Sequence, residues 1–274
     1  MFVHLHTRSW FSFRAGGSSP ADLVQRAVQL GQPALALTDR HGVYGTVRFQ
    51  KACGDAGLHA ILGAELLVDG APLVLLARNA GGYRDLCQLL TRAHLSAAGI
   101  SLLDNGEMPA DTSDPLPTDR RDIPSVTLDD LATLSARLLC LTGGRNGRLW
   151  QLLVRRRNED AHRWLATVQE LFGDALYVEL THGLLPEDSR VCTRLYELAG
   201  AESVATIVTN DVRYATPAHW QRYDLLTCMR LNHPVAEPHQ ERPRNAEAYL
   251  KSEVQLRRLL PFCADAFERT LEVS

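Results

Sequence analysis

The residues best suited to chemistry in this chain are histidines and acids that sit on or close short apolar runs. His4 and His6 stand two apart in the first run. On an extended strand that spacing turns both imidazoles to one face, within reach of a common ion. A second run ends in Asp39, Arg40, His41 and Gly42, a third carries Glu65, and a late one ends in Asn210, Asp211, Val212 and Arg213. His94 falls on a helical stretch that begins near Gly81. If the runs are strands of a β/α barrel, their C-terminal ends converge, and Glu65 and Asp211 can join the histidines across long sequence distances. Imidazoles with carboxylates suit zinc, manganese or iron. The chemistry of such a site is a metal-activated water attacking a phosphate ester, with a second metal or a cation steadying the leaving oxygen.

Plainer readings stand beside this one. A His-x-His pair also arises by chance, Glu65 and Asp211 equally suit helix caps or salt-bridge partners, and His94 alone reads more simply as a helix-face or satisfied core histidine. His59 and His162 look like surface residues, His182 like a loop histidine, and Asn210 like a turn residue that satisfies its own backbone.

The elements that must position these groups follow from the patterning. Apolar runs at Phe2 to Leu5, Ala34 to Leu37, Ile61 to Val68, Leu73 to Ala77, Leu138 to Leu141, Leu176 to Leu180 and Thr206 to Val208 alternate with helical stretches. That alternation predicts a parallel β/α arrangement, and seven runs suit a small barrel. Between the first two runs, Ser19, Pro20 and Asp22 have the spacing of a capping box with proline at the first helical position, and Gly31 stands where a helix ends. Leu23, Val24, Ala27, Val28 and Leu30 supply the apolar stripe of that helix. Residues 99–127 are rich in Asp, Pro, Thr and Ser, and Pro109, Pro115, Pro117 and Pro124 predict an inserted mobile loop. Helical segments are expected around His219 to Leu231, Ala246 to Leu260 and Ala264 to Leu271.

Bulk composition narrows the class. The chain has 274 residues, 45% of them hydrophobic, which is enough for a large core, and a net charge of -3 gives no overall basic field for nucleic acid. The six cysteines never form a Cys-x-x-Cys pair and read as reduced core residues of a cytoplasmic protein. No apolar run approaches membrane-spanning length.

Several segments together go further than any one of them. The first block from His4 to Gly17, the TDRHGVYG stretch from Thr38 to Gly45, the Glu65 strand, the His94 helix, NDVRY at 210–214 and RPRN at 242–245 with Tyr249 fall in one order along the whole chain. They resemble the successive blocks of the PHP domain of bacterial family C DNA polymerases, and the Thr38 to Gly45 block is most similar to the error-prone alpha subunits. The resemblance implies a distorted (β/α)7 TIM-like barrel of the PHP type over residues 1–274, with residues 232–274 a helical segment leading toward a polymerase palm that this chain does not contain.

In PHP domains with a full site, nine ligands hold up to three metals, and the resemblance implies which are kept. His4, His6, Glu65, His94 and Asp211 agree with the pattern. Ala15 stands where the family has a carboxylate, Arg40 and Arg213 where it has histidines, and Gly144 where it has a cysteine; His41 is displaced by one position. Guanidinium stays protonated and cannot ligate a metal. A divalent ion ~5 Å from one is repelled by on the order of 6 kcal/mol at an effective dielectric of about 20. The expectation is partial or no occupancy by a divalent metal, with Asp39, Arg40 and Arg213 as the remaining candidates for a catalytic role. Arg40 and Arg213 can instead bridge to Glu65, Asp39 or Asp211.

The function implied is a structural or interaction module of an error-prone polymerase III alpha subunit in replication or repair. Two other classes compete, a metal-dependent 3'-5' exonuclease or phosphoesterase and a stand-alone regulatory binding module. Implied partners are the polymerase palm and fingers of the same or another chain, a proofreading or replisome subunit, and DNA indirectly.

Overall fold

The computed structural model describes residues 1–99 and 123–274. Strands β1 (Ala34–Arg40), β2 (His59–Val68), β3 (Ala71–Ala77), β4 (Ser125–Val126), β5 (Leu138–Leu141), β6 (Leu176–Thr181) and β7 (Ala205–Thr209) make one curled sheet in the order β1-β2-β3-β5-β6-β7, with β4 added beside β2. Each apolar run after the first is therefore a strand. The first run closes the seam: His4 bridges Leu35 of β1, and Thr7 bridges Val212 just beyond β7. The N–H of Ala36 donates to the His4 carbonyl and that of Thr38 to the Thr7 carbonyl. Three residues of the first segment thus match two of β1, a bulge that breaks strict alternation between His4 and His6.

Both faces of the sheet are covered, as the near-continuous burial of β1 requires. Ala34 and Ala36 point into the barrel with Val3, Leu5, Ile61, Val74, Leu141 and Ile207. Leu35 and Leu37 point outward onto Leu23, Val24, Ala27 and Phe49 of the flanking helices α1 (Pro20–Gln29) and α2 (Thr46–Ala56). Around the rest of the ring pack α3 (Ala80–Ala97), α4 (Leu128–Ala132), α5 (Arg148–Val154), α6 (Asn158–Phe172) and α7 (Asp188–Ala201), followed by α8 (Trp220–Leu231), α9 (Glu253–Leu259) and α10 (Ala264–Glu272). This is an α/β fold in the form of a distorted TIM-like barrel.

Three expectations need correction. The sheet is not all parallel: β3 runs antiparallel to both β2 and β5. The cause is local, because only Asp69 and Gly70 join β2 to β3, both with positive φ, and a two-residue turn of that kind makes a hairpin and cannot make a crossover. Residues 246–252 are not helical: Tyr249 bridges Tyr214, and the next helix starts only at a capping box made by Ser252 and Gln255. Val28 is exposed, since it lies about 100° around the helix from Ala27 and leaves the buried stripe. Of the loop expected over 99–127, residues 100–122 lie outside the described residues. Its end is ordered as β4, followed by Thr127 as the N-cap of α4. All six cysteines are free, and five are buried.

The helix that opens the barrel starts as its sequence predicts. Ser19 accepts from the Asp22 N–H while Asp22 accepts from the Ser19 N–H, Pro20 takes the first position, and Gly31 follows the C-cap with a φ of 66°. Ser19→Ala removes one half of that reciprocal cap. The expected loss is about 1 kcal/mol, read as a lower urea midpoint with an unchanged slope.

Candidate functional site

The site forms where the first segment, the end of β1, the interior of β2 and β6 and the residues after β7 meet. His6 is fully buried between acids from three of these elements. Its Nδ1 donates to Glu179 Oε1 at 2.7 Å, and its Nε2 lies 3.1 Å from Glu65 Oε2 and 3.6 Å from Asp211 Oδ1. One atom each of His6, Glu65 and Asp211 lies within 4.8 Å of the others, close enough to share a cation. Asp211 reaches inward because its backbone turns into the left-handed region, φ 41°.

Guanidinium groups occupy the same ground. Arg8 donates to Glu65 Oε2 and lies 3.2 Å from Asp211 Oδ1; Arg40 Nε lies 3.0 Å from Glu65 Oε1; Arg213 donates to Asp211 Oδ2 at 2.7 Å and to the Tyr223 hydroxyl. Two of these are the arginines that stand at expected histidine positions. Burial alone would favour neutral acids, but the positive charge of Arg8 and His6 outweighs it at Glu65, and that of Arg213 and Arg8 outweighs it at Asp211. Both carboxyls are held below their ordinary range. Burial would likewise push the His6 ring down, yet the facing charges of Glu179 and Asp211 hold it up at about 10.

Other residues singled out in the sequence lie apart from this cluster. His4 is buried, but its Nε2 donates to the Lys251 carbonyl at 3.0 Å, and burial pushes the ring down to about 4. The bulge before Thr7 lets His4 and His6 part company. His94 is exposed and meets the His41 carbonyl at 2.6 Å. His41 has a left-handed backbone, and neither of its ring nitrogens has a hydrogen-bond partner among the described residues. Burial, with Arg40 beside it, pushes the His41 ring down to about 4. The Asp39 carboxylate is taken up by the loop after the first segment, accepting from the Ser9 N–H at 2.7 Å, the Ser9 hydroxyl at 2.8 Å and the Ser12 hydroxyl at 2.7 Å. His182 donates to or accepts from Ser189 at 2.9 Å. Asn210 does not serve its own backbone; its amide donates to the carbonyls of Glu247 and Tyr249.

Arg8, Glu179 and Lys251 are participants that sequence reasoning did not single out. Glu179 carried a usable signal, since it interrupts a buried apolar run as Glu65 does. Arg8 and Lys251 carried none, because a basic residue near a strand end is ordinarily a solvated one.

Above the cluster opens a cleft of about 520 Å³ whose lining includes Arg8, Arg40, Arg145, Arg213, Arg230, Arg242 and Arg244 against only Glu65, Asp211, Glu241 and Glu247. Acids just outside the lining answer several of these arginines, Glu187 and Asp188 pairing with Arg145 and Asp224 with Arg242, so the cleft is rich in ion pairs. Its donors can hold one divalent cation through His6, Glu65 and Asp211. They do not fit a set of several, because Arg40 and Arg213 fill the space beside two of the three and Gly144 offers no side chain.

Comparison with known proteins identifies the family and the fold. The PHP domain family matches residues 4–183. An error-prone DNA polymerase of Symbiobacterium thermophilum is 36% identical over 100% of this chain and 25% of its own length. A DNA polymerase III subunit alpha of Treponema pallidum is 31% identical over 100% of this chain and 23% of its own. The chain therefore spans about a quarter of the curated relatives it matches. Among solved structures, an amidohydrolase of Chromobacterium violaceum with bound sulfate and no metal superposes with a TM-score of 0.52 at 18% identity, covering 78% of this chain and 88% of that one, a likeness of fold. With the family match running from His4 through the end of β6 and relatives aligned along the full length, the chain belongs to the PHP domain family.

Proposed function

We propose that this PHP domain acts as a structural or interaction module of an error-prone-type polymerase III alpha assembly in the cytoplasm, with its phosphoesterase site closed by arginines. The observation that carries the reading is the set of contacts from Arg8 and Arg40 to Glu65 and from Arg213 to Asp211. The acids a metal would need are already neutralised by fixed cations, so an incoming ion must displace them as well as the proton on His6. In this reading the ionic cluster ties the barrel mouth together where relatives would use metal, and the partners are polymerase segments or a proofreading subunit, with DNA reached through them.

A second reading is a single-cation phosphoesterase or 3'-5' exonuclease, favoured by the convergence of His6, Glu65 and Asp211. Zinc, manganese or iron held there would supply Lewis acidity toward a phosphate oxygen. Arg40 and Arg213 would then orient the phosphate by charge-assisted hydrogen bonds, and the deep placement of His6 would keep water from its ring.

Elemental analysis of protein purified without added metal separates the two, with substoichiometric metal expected. The triple variant Ala15→Asp, Arg40→His, Arg213→His should carry more metal per chain than the unaltered protein; equal content in both would remove the arginines as the cause. No turnover of single-stranded DNA or p-nitrophenyl phosphate is expected with manganese or zinc. Turnover that His6→Ala abolishes would replace the first reading with the second.

The cluster also sets a pH dependence. A His6 ring held at about 10 in the folded chain, against an ordinary 6.5, adds stability that is complete below pH 6.5 and is lost as pH rises toward 10. On the acid side Glu65 and Asp211, held low, add stability that disappears as pH falls through the carboxylate range, and His4, held down at about 4, adds to that loss between pH 6.5 and 4. Urea midpoints should therefore be highest near pH 6.5 and decline on both sides, and His6→Gln should flatten the alkaline limb and, because the His6 charge helps hold Glu65 and Asp211 low, weaken the acid limb as well.

A further inference from the structure

Glu179 has a different environment from the other two acids. Its carboxylate sits on β6 at 1% exposure, and in the described residues its only ion-pair partner is His6. Glu179 Oε1 accepts from His6 Nδ1 at 2.7 Å and from the Thr209 hydroxyl, and that hydroxyl also lies 2.9 Å from the Thr181 hydroxyl. The Glu179 N–H donates to the Thr142 hydroxyl at 3.0 Å, which fixes the strand at that point. Gly144, with a φ of 55°, closes over the carboxylate so tightly that a Cβ there would lie 3.4 Å from Glu179 Cδ and 3.1 Å from Thr181 Oγ1. Glu179 Oε2 has no hydrogen-bond partner among the described residues. Residues of β6 and β7 and of the turn after β5 therefore aim one carboxylate at one ring nitrogen.

The consequence for the ring follows from donor and acceptor capacity. A carboxylate accepts only, so Nδ1 carries a hydrogen; the protonated ring carries a second on Nε2, and it is this one whose loss leaves a lone pair. That nitrogen faces Glu65 Oε2 and Asp211 Oδ1, which are acceptors too. The Nε2 proton and the Arg8 guanidinium supply the positive charge between these acids, and a divalent cation that displaced that proton would meet the Nε2 lone pair in its place. A ligating imidazole whose other nitrogen donates to a carboxylate is the general arrangement by which proteins fix the ring at a metal.

We propose that Glu179 is the positioning residue of this subsite: it holds the His6 ring with the hydrogen on Nδ1 and so makes Nε2 the atom offered to a divalent cation. This rests on the reading that His6, Glu65 and Asp211 are the part of the PHP site still able to take a cation. Glu179 itself touches no cation and no substrate; it acts through His6. Gln at position 179 keeps the shape but can either accept from Nδ1 or donate to it, so the ring loses its single assignment.

The test uses the full chain labelled with ¹⁵N, unaltered and as Glu179→Gln, each followed by imidazole NMR with and without zinc. In the unaltered chain the His6 Nδ1 proton should be far downfield and slow to exchange, should survive zinc addition, and zinc should move the Nε2 resonance alone. In Glu179→Gln that proton should move upfield or exchange away, with zinc bound about 10–100-fold more weakly. A Nδ1 proton indifferent to the substitution, or a Nδ1 resonance that zinc moves directly, would overturn the proposal. Zinc binding to neither protein, with the proton still lost in the variant, would instead sink the cation-subsite reading and retain Glu179 as the group that fixes the ring.

Discussion

One carboxylate organises the mouth of this barrel. Glu65 is buried on β2 and is met by Arg8 and His6 from the first segment and by Arg40 from the end of β1. A lone charge in that position would be costly to bury, and the buried Arg8 and His6 would be costly to bury without it. Each therefore requires the others, and removing one partner of such a pair typically destabilises by about 3–5 kcal/mol. Asp211 and Arg213 extend the same network to the chain beyond β7, so the seam of the barrel and the site share one set of charges.

Asp211 can take part only because a distant stretch of chain holds its backbone. The N–H of Arg213 donates to the Ala248 carbonyl, Asn210 bonds two carbonyls of the same stretch, and the buried ammonium of Lys251 lies 3.3 Å from Asn210 Oδ1 and 3.0 Å from the Glu247 carboxylate. A left-handed backbone at a non-glycine residue is unfavourable by itself and persists where its surroundings over-determine it. The residues from Glu247 to Lys251 supply that determination, and through the Lys251 carbonyl they also draw His4 away from the cluster.

Much of the architecture could be read directly from residue order, because it rests on local rules. Ser19, Pro20 and Asp22 define a helix start wherever they occur, and apolar runs such as Ala34 to Leu37 become strands because nothing polar interrupts them. Side-chain partners are another matter. The same His-x-His spacing that suggested a shared face was undone by one extra residue before Thr7, and alternation carries no mark of a bulge. Residues 246–251 have helical composition, but their backbone is spent on the chain after β7, a tertiary choice that overrides propensity. Arg40 and Arg213 stood out only against the resemblance to a family that has histidines there, whereas Arg8 had no such contrast.

The hairpin at Asp69 and Gly70 reaches further than the turn itself. In an ordinary β/α unit the strand delivers the chain to the reactive rim, and the helix that follows carries it back down. Here β3 descends, so α3 begins at the far end, where Arg78 pairs with the Arg137 carbonyl next to the start of β5. Its 18 residues then climb, a rise of about 27 Å. An upside-down helix is thus what brings His94, near its last turn, up beside the loop that leaves β1, and a parallel β3 would have stranded that imidazole at the opposite pole of the molecule.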